Sequence, residues 1–359
     1  MKGNLKSFLI LSLVLVLVLS MALFSCKKKE EPKAEETAAP VKVGMATDVG
    51  GLGDKSFNDG AYNGLLLGKE RLGIVPTVVE SKQQTDYVPN LSGLAEDGHK
   101  LVFAVGFLMA DALLEAAKNN PDAYFAGIDI FVDPATAPKN VMGILYKEEE
   151  SGYLAGVLAG LMTKKYASAS PKLNDQNVVG VVLGMFIPPV EKFEVGFYQG
   201  VKAVNPDCQV ISVTTGSFTD QAKGKEAALA MIENGADIIF HAAGLTGLGA
   251  INAAKEKGVF AIGVDVDQNP VAPDTVLTSA VKGIVNSTYL TIESMMQDRF
   301  EGGTTKTFGI NEDSTGIAPF HQFDSMIPQE VKDIINQTIA DMKAGKIKIA
   351  TTRAEAGMK

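Results

Sequence analysis

The sequence predicts an α/β protein made of two doubly wound lobes with parallel sheets, joined by a hinge. Three observations carry this expectation. From residue 41 onward, short β-branched apolar runs alternate with amphipathic stretches, the pattern of repeated βα units. The alternation falls into two series, separated by a polar, Ser- and Pro-containing segment at 163–176, TKKYASASPKLNDQ, which has no hydrophobic period. The chain has 359 residues, enough for about two domains of ~150 residues each.

In the first series, strands are expected at 41–47, 77–81, 101–106, 124–129 and 141–145, with helices beginning near Asp59, Tyr87, Met109 and Glu148. In the second series, strands are expected at 178–184, 210–215, 238–242, 260–265 and 276–281, with helices near Val190, Asp220, Thr246 and Gly283. Residues 311–359 hold one helical stretch, 328–343, expected to pack back across a lobe. Lobe 1 is thus placed at 41–147 with part of about 280–310, and lobe 2 at 148–278 with part of about 311–359.

The amino terminus has a different character. Residues 1–25 combine a positive start (Lys2, Lys6), an apolar run from Phe8 to Phe24 and a small Ser25, the layout of an export signal peptide. The order Leu23, Phe24, Ser25, Cys26 resembles a bacterial lipobox, in which the cysteine thiol takes a diacylglycerol and becomes the first residue of the mature chain. The competing reading is an uncleaved anchor helix, because seventeen apolar residues approach the ~20 that span a bilayer. Residues 27–40, KKKEEPKAEETAAP, contain no apolar side chain larger than alanine and form a tether. The lipid reading places the protein at the cell membrane, on its periplasmic or extracellular face, and leaves Cys208 without an intramolecular partner.

Composition excludes several classes. Lys and Arg number 33 against 42 Asp and Glu, a net charge of −9, which disfavours a phosphate backbone, so no nucleic-acid partner is expected. Two cysteines and three widely spaced histidines supply neither a zinc cluster nor a Cys/His pair, and no cofactor is expected. Asp265, Asp267 and Asn269 begin like a calcium loop, but its sixth position is Pro270 and its twelfth Val276. GLTGLG at 244–249 has G-x-x-G-x-G spacing, not that of the dinucleotide fingerprint. A nucleoside hydrolase would need a tight aspartate constellation, which is not apparent.

Two series of βα units in an exported, tethered chain suggest a bilobed receptor with ligand held between the carboxyl ends of its sheets. The most informative segment is 48–58, DVGGLGDKSFN, which lies between the first strand and the first helix. Gly50, Gly51 and Gly53 let the backbone turn sharply there, and Ser56, Phe57 and Asn58 stand at the helix entry.

Here the sequence resembles the basic membrane protein family of bacterial lipoproteins, purine nucleoside receptors of ABC importers. The resemblance rests on DVGGLGDKSFNDGAYNG, on IPPVEKFEVGFYQGVKAVNPD at 187–207, on GSFTDQAKGKEAALAMIENGADIIFHAAGLTG at 216–247, and on AIGVDVDQ at 261–268 followed by SAVK at 279–282. It implies a purine nucleoside between the lobes, its base sandwiched by aromatic rings and its ribose held by a carboxylate. It also implies a permease and an ATPase as partners, and no catalysis.

Residue by residue, Phe57 matches the first stacking position of the family; outside this motif, a phenylalanine at a helix start would be read as a staple into the core. Asp48 and Asn58 match the polar pair that reads base edges, with turn formation and helix capping as their plainer roles. Family members commonly carry Gly-Met-Asp-Ile-Pro where this chain has Gly-Met-Phe-Ile-Pro, so Phe186 and Phe193 both stand as candidates for the second ring. Phe197 is assigned to the core. Asp265 matches the ribose-binding carboxylate, and Lys282 a lysine near the same ligand. Gly244 and Gly247 allow close backbone approach, and Asp129, at another strand end, is a further carboxylate candidate. A sugar receptor on the same fold and an adhesin for host protein remain open, since sugars also pack on aromatic faces.

Overall fold

A computed structural model describes residues 39–358; the expected signal peptide, Cys26 and most of the expected tether lie outside the described residues. The fold contains two six-stranded sheets. In the first, β1 (Lys42–Thr47), β2 (Val75–Glu80), β3 (Leu101–Val105), β4 (Tyr124–Ile128) and β5 (Val141–Tyr146) are joined by β11 (Thr304–Phe308) in the order β11-β5-β4-β3-β1-β2. In the second, β6 (Val178–Leu183), β7 (Gln209–Thr214), β8 (Ala236–Ala242), β9 (Phe260–Asp265) and β10 (Val276–Lys282) are joined by β12 (Thr315–Ile317) in the order β12-β10-β9-β8-β6-β7. All pairings are parallel except β10 with β12. The central strands are buried along their whole length, as sheets covered by helices on both faces require.

The nine α-helices among the described residues are α1 (Phe57–Leu72), α2 (Tyr87–Glu96), α3 (Ala110–Asn119), α4 (Glu148–Met162), α5 (Pro188–Val204), α6 (Gln221–Glu233), α7 (Leu245–Lys257), α8 (Ile284–Met296) and α9 (Gln329–Lys343). On one face of the first sheet, α1 and α8 bury Ala61, Leu65, Ile284 and Ile292 against Val43, Phe103 and Ile144. On the other face, α2 and α3 bury Leu91, Leu94 and Leu113 against Ala46, Val102 and Phe125. Lobe 2 has one large core in which Leu154 and Leu158 of α4, Phe197 of α5 and Val331, Ile335 and Met342 of α9 meet Val181, Phe240 and Ile262 of the sheet. Cys208 is buried, and desolvation pushes its thiol up to about 11, leaving an inert side chain.

Strands β11 and β12 were absent from the sequence expectation. TTKTF is short, polar and mostly exposed, because it forms a sheet edge; β12 has only three residues. Together they define how the chain passes between the lobes, which it does at 146–148, at 282–284 and at 308–315. These crossings lie side by side. Lys147 donates its backbone N–H to the Phe308 carbonyl at 3.0 Å, and Gly283 donates to the Ser314 carbonyl at 2.7 Å.

After α9 the chain runs back over α5. The Gln199 amide exchanges two bonds with the Ala350 backbone, and Arg353 donates twice to the buried Glu194 carboxylate, each bond 2.7 Å long. The Arg353 guanidinium also lies 4.7 Å from the centre of the Phe186 ring, which is half exposed to solvent.

Candidate functional site

The carboxyl ends of both sheets face one cavity. On the lobe 1 side, the loop after β1 carries Asp48, Asp54, Phe57 and Asn58. Asp54 organises it: its Oδ1 accepts from the backbone N–H groups of Ser56 and Asp59, and its Oδ2 from that of Asn58, so two of the orphan donors of α1 are satisfied. The helix entry is thus fixed, with Phe57 beside the cavity. Asp48 Oδ1 accepts from Gly50 N–H at 2.9 Å and from Asn58 Nδ2 at 3.1 Å. The second bond sets the Asn58 amide, whose Oδ1 is left without a protein partner among the described residues. Burial pushes the Asp48 carboxyl up to about 6, against the pull of Asn58 and Gly50. Gly106, at φ 125°, is required beside it, because a Cβ there would stand 2.7 Å from Asp48 Oδ2.

On the lobe 2 side, Ile187, Pro189, Val190 and Phe193 come from the start of α5, Phe218 from the loop after β7, and Gly244 from the start of α7. Phe193 packs edge-on against Phe240 at 6.2 Å while lining the cavity. Phe197 stacks on Phe240 at 5.1 Å in the core. Phe186 does not line the cavity; it is turned outward under Arg353. Of the two candidates for the second ring, only Phe193 is brought to the site.

Between the lobes, Lys282 ends β10 and is buried. Its Nζ lies 2.6 and 2.7 Å from the two oxygens of Asp129 and 2.9 Å from Glu148 Oε1. The same ammonium is 5.0 Å from the centre of the Phe57 ring, 4.8 Å from Tyr146 and 5.9 Å from Phe193. Desolvation opposes its charge, but Asp129, Glu148 and Asp265 outweigh that and push its pKa up. Asp129 is itself raised to about 6 by burial, with Lys282 the main opposing influence.

Asp265 ends β9. It and Asp129 occupy matching places, one per lobe, and both hold left-handed backbone conformations, at φ 65° and 63°, which non-glycine residues adopt at some cost. Among the described residues no group hydrogen-bonds to the Asp265 carboxylate. Burial raises it to about 7, Lys282 opposing and Asp54, Asp129 and Glu148 adding to the rise.

Eight of the ten candidate residues named from the sequence therefore converge on the cavity, with Phe186 turned outward and Gly247 packed against His241. Phe107, Phe218 and Glu148 were missed. A positional signal existed for the two phenylalanines, since each follows closely on the carboxyl end of a strand; Glu148 reads in sequence only as a helix start.

A buried, two-walled cavity at the carboxyl ends of two parallel sheets, with three chain crossings behind it, defines a bilobed solute-binding protein. Residues 41–350 match the family described as ABC transporter substrate-binding protein, PnrA-like. The chain belongs to that family, whose members bind and hand over substrates rather than transform them. It is similar to basic membrane protein A1 of Borrelia garinii subsp. bavariensis, 32% identical with 91% of this chain and 94% of the relative covered. It is also similar to the ABC transporter nucleoside-binding protein BmpA of Lactococcus lactis subsp. cremoris, 32% identical over 86% of this chain and 89% of that one. A solved structure of an ABC transporter solute-binding protein from Aeropyrum pernix superposes with TM-score 0.78 at 26% identity, covering 88% of this chain and 94% of the other. The arabinose-binding protein AraP of Geobacillus stearothermophilus shares the fold alone, at TM-score 0.56 and 16% identity over 81% of this chain and all of AraP.

Proposed function

We propose that this chain captures purine nucleosides between its lobes and delivers them to the permease and ATPase of an ABC importer. The observation that carries the reading is the Asp265 carboxylate, buried at the cavity with no donor among the described residues, in the same space as the rings of Phe57 and Phe193. An ionised carboxylate takes up vicinal ribose hydroxyls, a flat ring takes up a base, and Asn58 Oδ1 offers an acceptor to a base edge. A nucleoside supplies all three complements at once; a free sugar can donate a hydroxyl to Asn58 and pack on a ring, but it has no planar π face to stack. The named nucleoside-binding relative adds independent weight.

Isothermal titration with inosine, guanosine, adenosine and arabinose tests the reading. Purine nucleosides should bind and remain intact; binding of arabinose in preference to all three would turn the assignment to sugars. Phe57→Ala should weaken nucleoside binding by ~1–3 kcal/mol, the worth of one stacking face. If the folded variant binds as tightly as wild type, that ring serves the core.

Membrane attachment through lipid on Cys26, with removal of residues 1–25, belongs to the same proposal. No helix among the described residues is long and apolar enough to cross a membrane. Radiolabelled palmitate should enter the wild type and not Cys26→Ser; equal labelling of both would exclude the anchor.

A further inference from the structure

Within the motif AIGVDVDQ, the glutamine does not line the cavity, yet it is almost wholly buried at the junction of the lobes. Gln268 Oε1 accepts two hydrogen bonds from its own lobe, one from the Val264 backbone N–H at 2.9 Å and one from His241 Nε2 at 2.9 Å. Its backbone N–H is fixed to Ser279 Oγ at 3.0 Å.

His241 is fully buried, and desolvation holds its pKa down to about 4, so the ring is neutral at physiological pH. Facing an amide oxygen, Nε2 must carry the proton, and the bare Nδ1 has no partner among the described residues. Gly247 closes over that nitrogen, where a Cβ would approach to 2.0 Å.

Two donors converging on Oε1 leave the carboxamide one orientation. Its NH2 group then points out of lobe 2, and Nε2 donates to the Lys55 carbonyl at 3.0 Å, across 213 positions of sequence. Lys55 belongs to lobe 1 and holds a left-handed conformation at φ 54°, immediately before Ser56, Phe57 and Asn58. A second contact adjoins the bond. At Gly60 of α1 a Cβ would come within 3.3 Å of Val266 Cγ1, so the lobes meet closely there.

We propose that Gln268 is an interlobe clasp, oriented by His241 and Val264 and closing on the Lys55 carbonyl. Both ends of the clasp are protein atoms. It therefore draws the lobes together whether or not ligand is bound, and it holds the loop that carries Phe57 and Asn58 in its binding geometry. A ligand selecting the closed form then has less of the closing equilibrium to supply. The inference rests on the bilobed architecture and on no particular ligand.

Gln268→Glu is the discriminating variant. Ionised, it keeps an acceptor for Val264 and His241 but sets a second oxygen, instead of a donor, against the Lys55 carbonyl, and exchange is read at pH 8 to favour that form. Amide hydrogen exchange read by mass spectrometry on the full chain, without nucleoside, should show residues 48–58 exchanging about tenfold faster than in wild type, the loss of one buried bond. The core strand 101–105 should be unchanged. Equal exchange of 48–58 in a folded variant overturns the clasp. If the variant does not fold, the wild type decides: with glutamine-selective 15N labelling, the Gln268 side-chain amide protons should exchange far more slowly than those of exposed Gln84. Exchange at the Gln84 rate overturns the proposal.

Discussion

Lys282→Met should lower stability in urea by about 3–5 kcal/mol, because it strips the counter-charge from buried carboxylates. The ammonium sits within 3 Å of Asp129 and Glu148, and all three side chains are almost wholly inaccessible. Methionine fills the same volume, so packing loss contributes little. The defect carries a pH signature. Burial already raises Asp129 from 3.8 to about 6, and without the lysine it rises further. A carboxyl whose folded pKa exceeds its unfolded value binds more protons when folded. The stability it permits is therefore full below the unfolded pKa and is lost as pH rises through the folded one. The variant should stand closest to wild type near pH 4 and fall behind progressively above about pH 6. Equal urea midpoints at pH 8 would show that the ammonium contributes nothing net.

The second large effect concerns ligand rather than fold. Asp265→Asn should weaken binding of inosine by about 1.5–3 kcal/mol, roughly 10–150-fold, since one charged acceptor is exchanged for a donor. The preference for inosine over 2′,3′-dideoxyinosine should shrink in step. On the nucleoside reading, ribose hydroxyls would donate to the ionised form, and burial holds Asp265 at about 7. Wild-type affinity should therefore fall as pH drops through 7, by up to about tenfold per pH unit, with Asp48 and Asp129 adding to the fall near 6. In the asparagine variant the step near 7 disappears. Isothermal titration from pH 5.5 to 8 decides this. A variant that keeps full preference for the diol would move the ribose role to Asp129.

Much of this architecture could be read before any coordinates, and the reasons are local. Residues 101–105 and 178–183 are unbroken apolar runs because both faces of their sheets are covered, and such runs are visible in one dimension. Asp48, Asp129, Asp265 and Lys282 were visible because each closes a strand, the place where this architecture puts its ligands. What could not be read depends on distant partners. TTKTF becomes a strand only by pairing with β5 more than 150 positions earlier. Phe186 and Phe193 stand seven residues apart around one helix entry, and nothing local tells which ring turns inward. The outward turn of Phe186 depends on Arg353, at the far end of the chain. The clasp was likewise illegible, since neither Gln268 nor the Lys55 carbonyl signals its partner.

The charge inventory of the cavity also bears on what is kept out. Asp48, Asp54, Asp129 and Asp265 line it, with Lys282 as the cation among the lining residues, and that lysine is already engaged by two carboxylates. A phosphate entering such a space would have to shed its water against like charges, with no free cation among the described lining residues to receive it. On the nucleoside reading, the cavity then acts as a charge filter, accepting the neutral nucleoside and turning away its 5′-monophosphate in spite of the identical base and sugar.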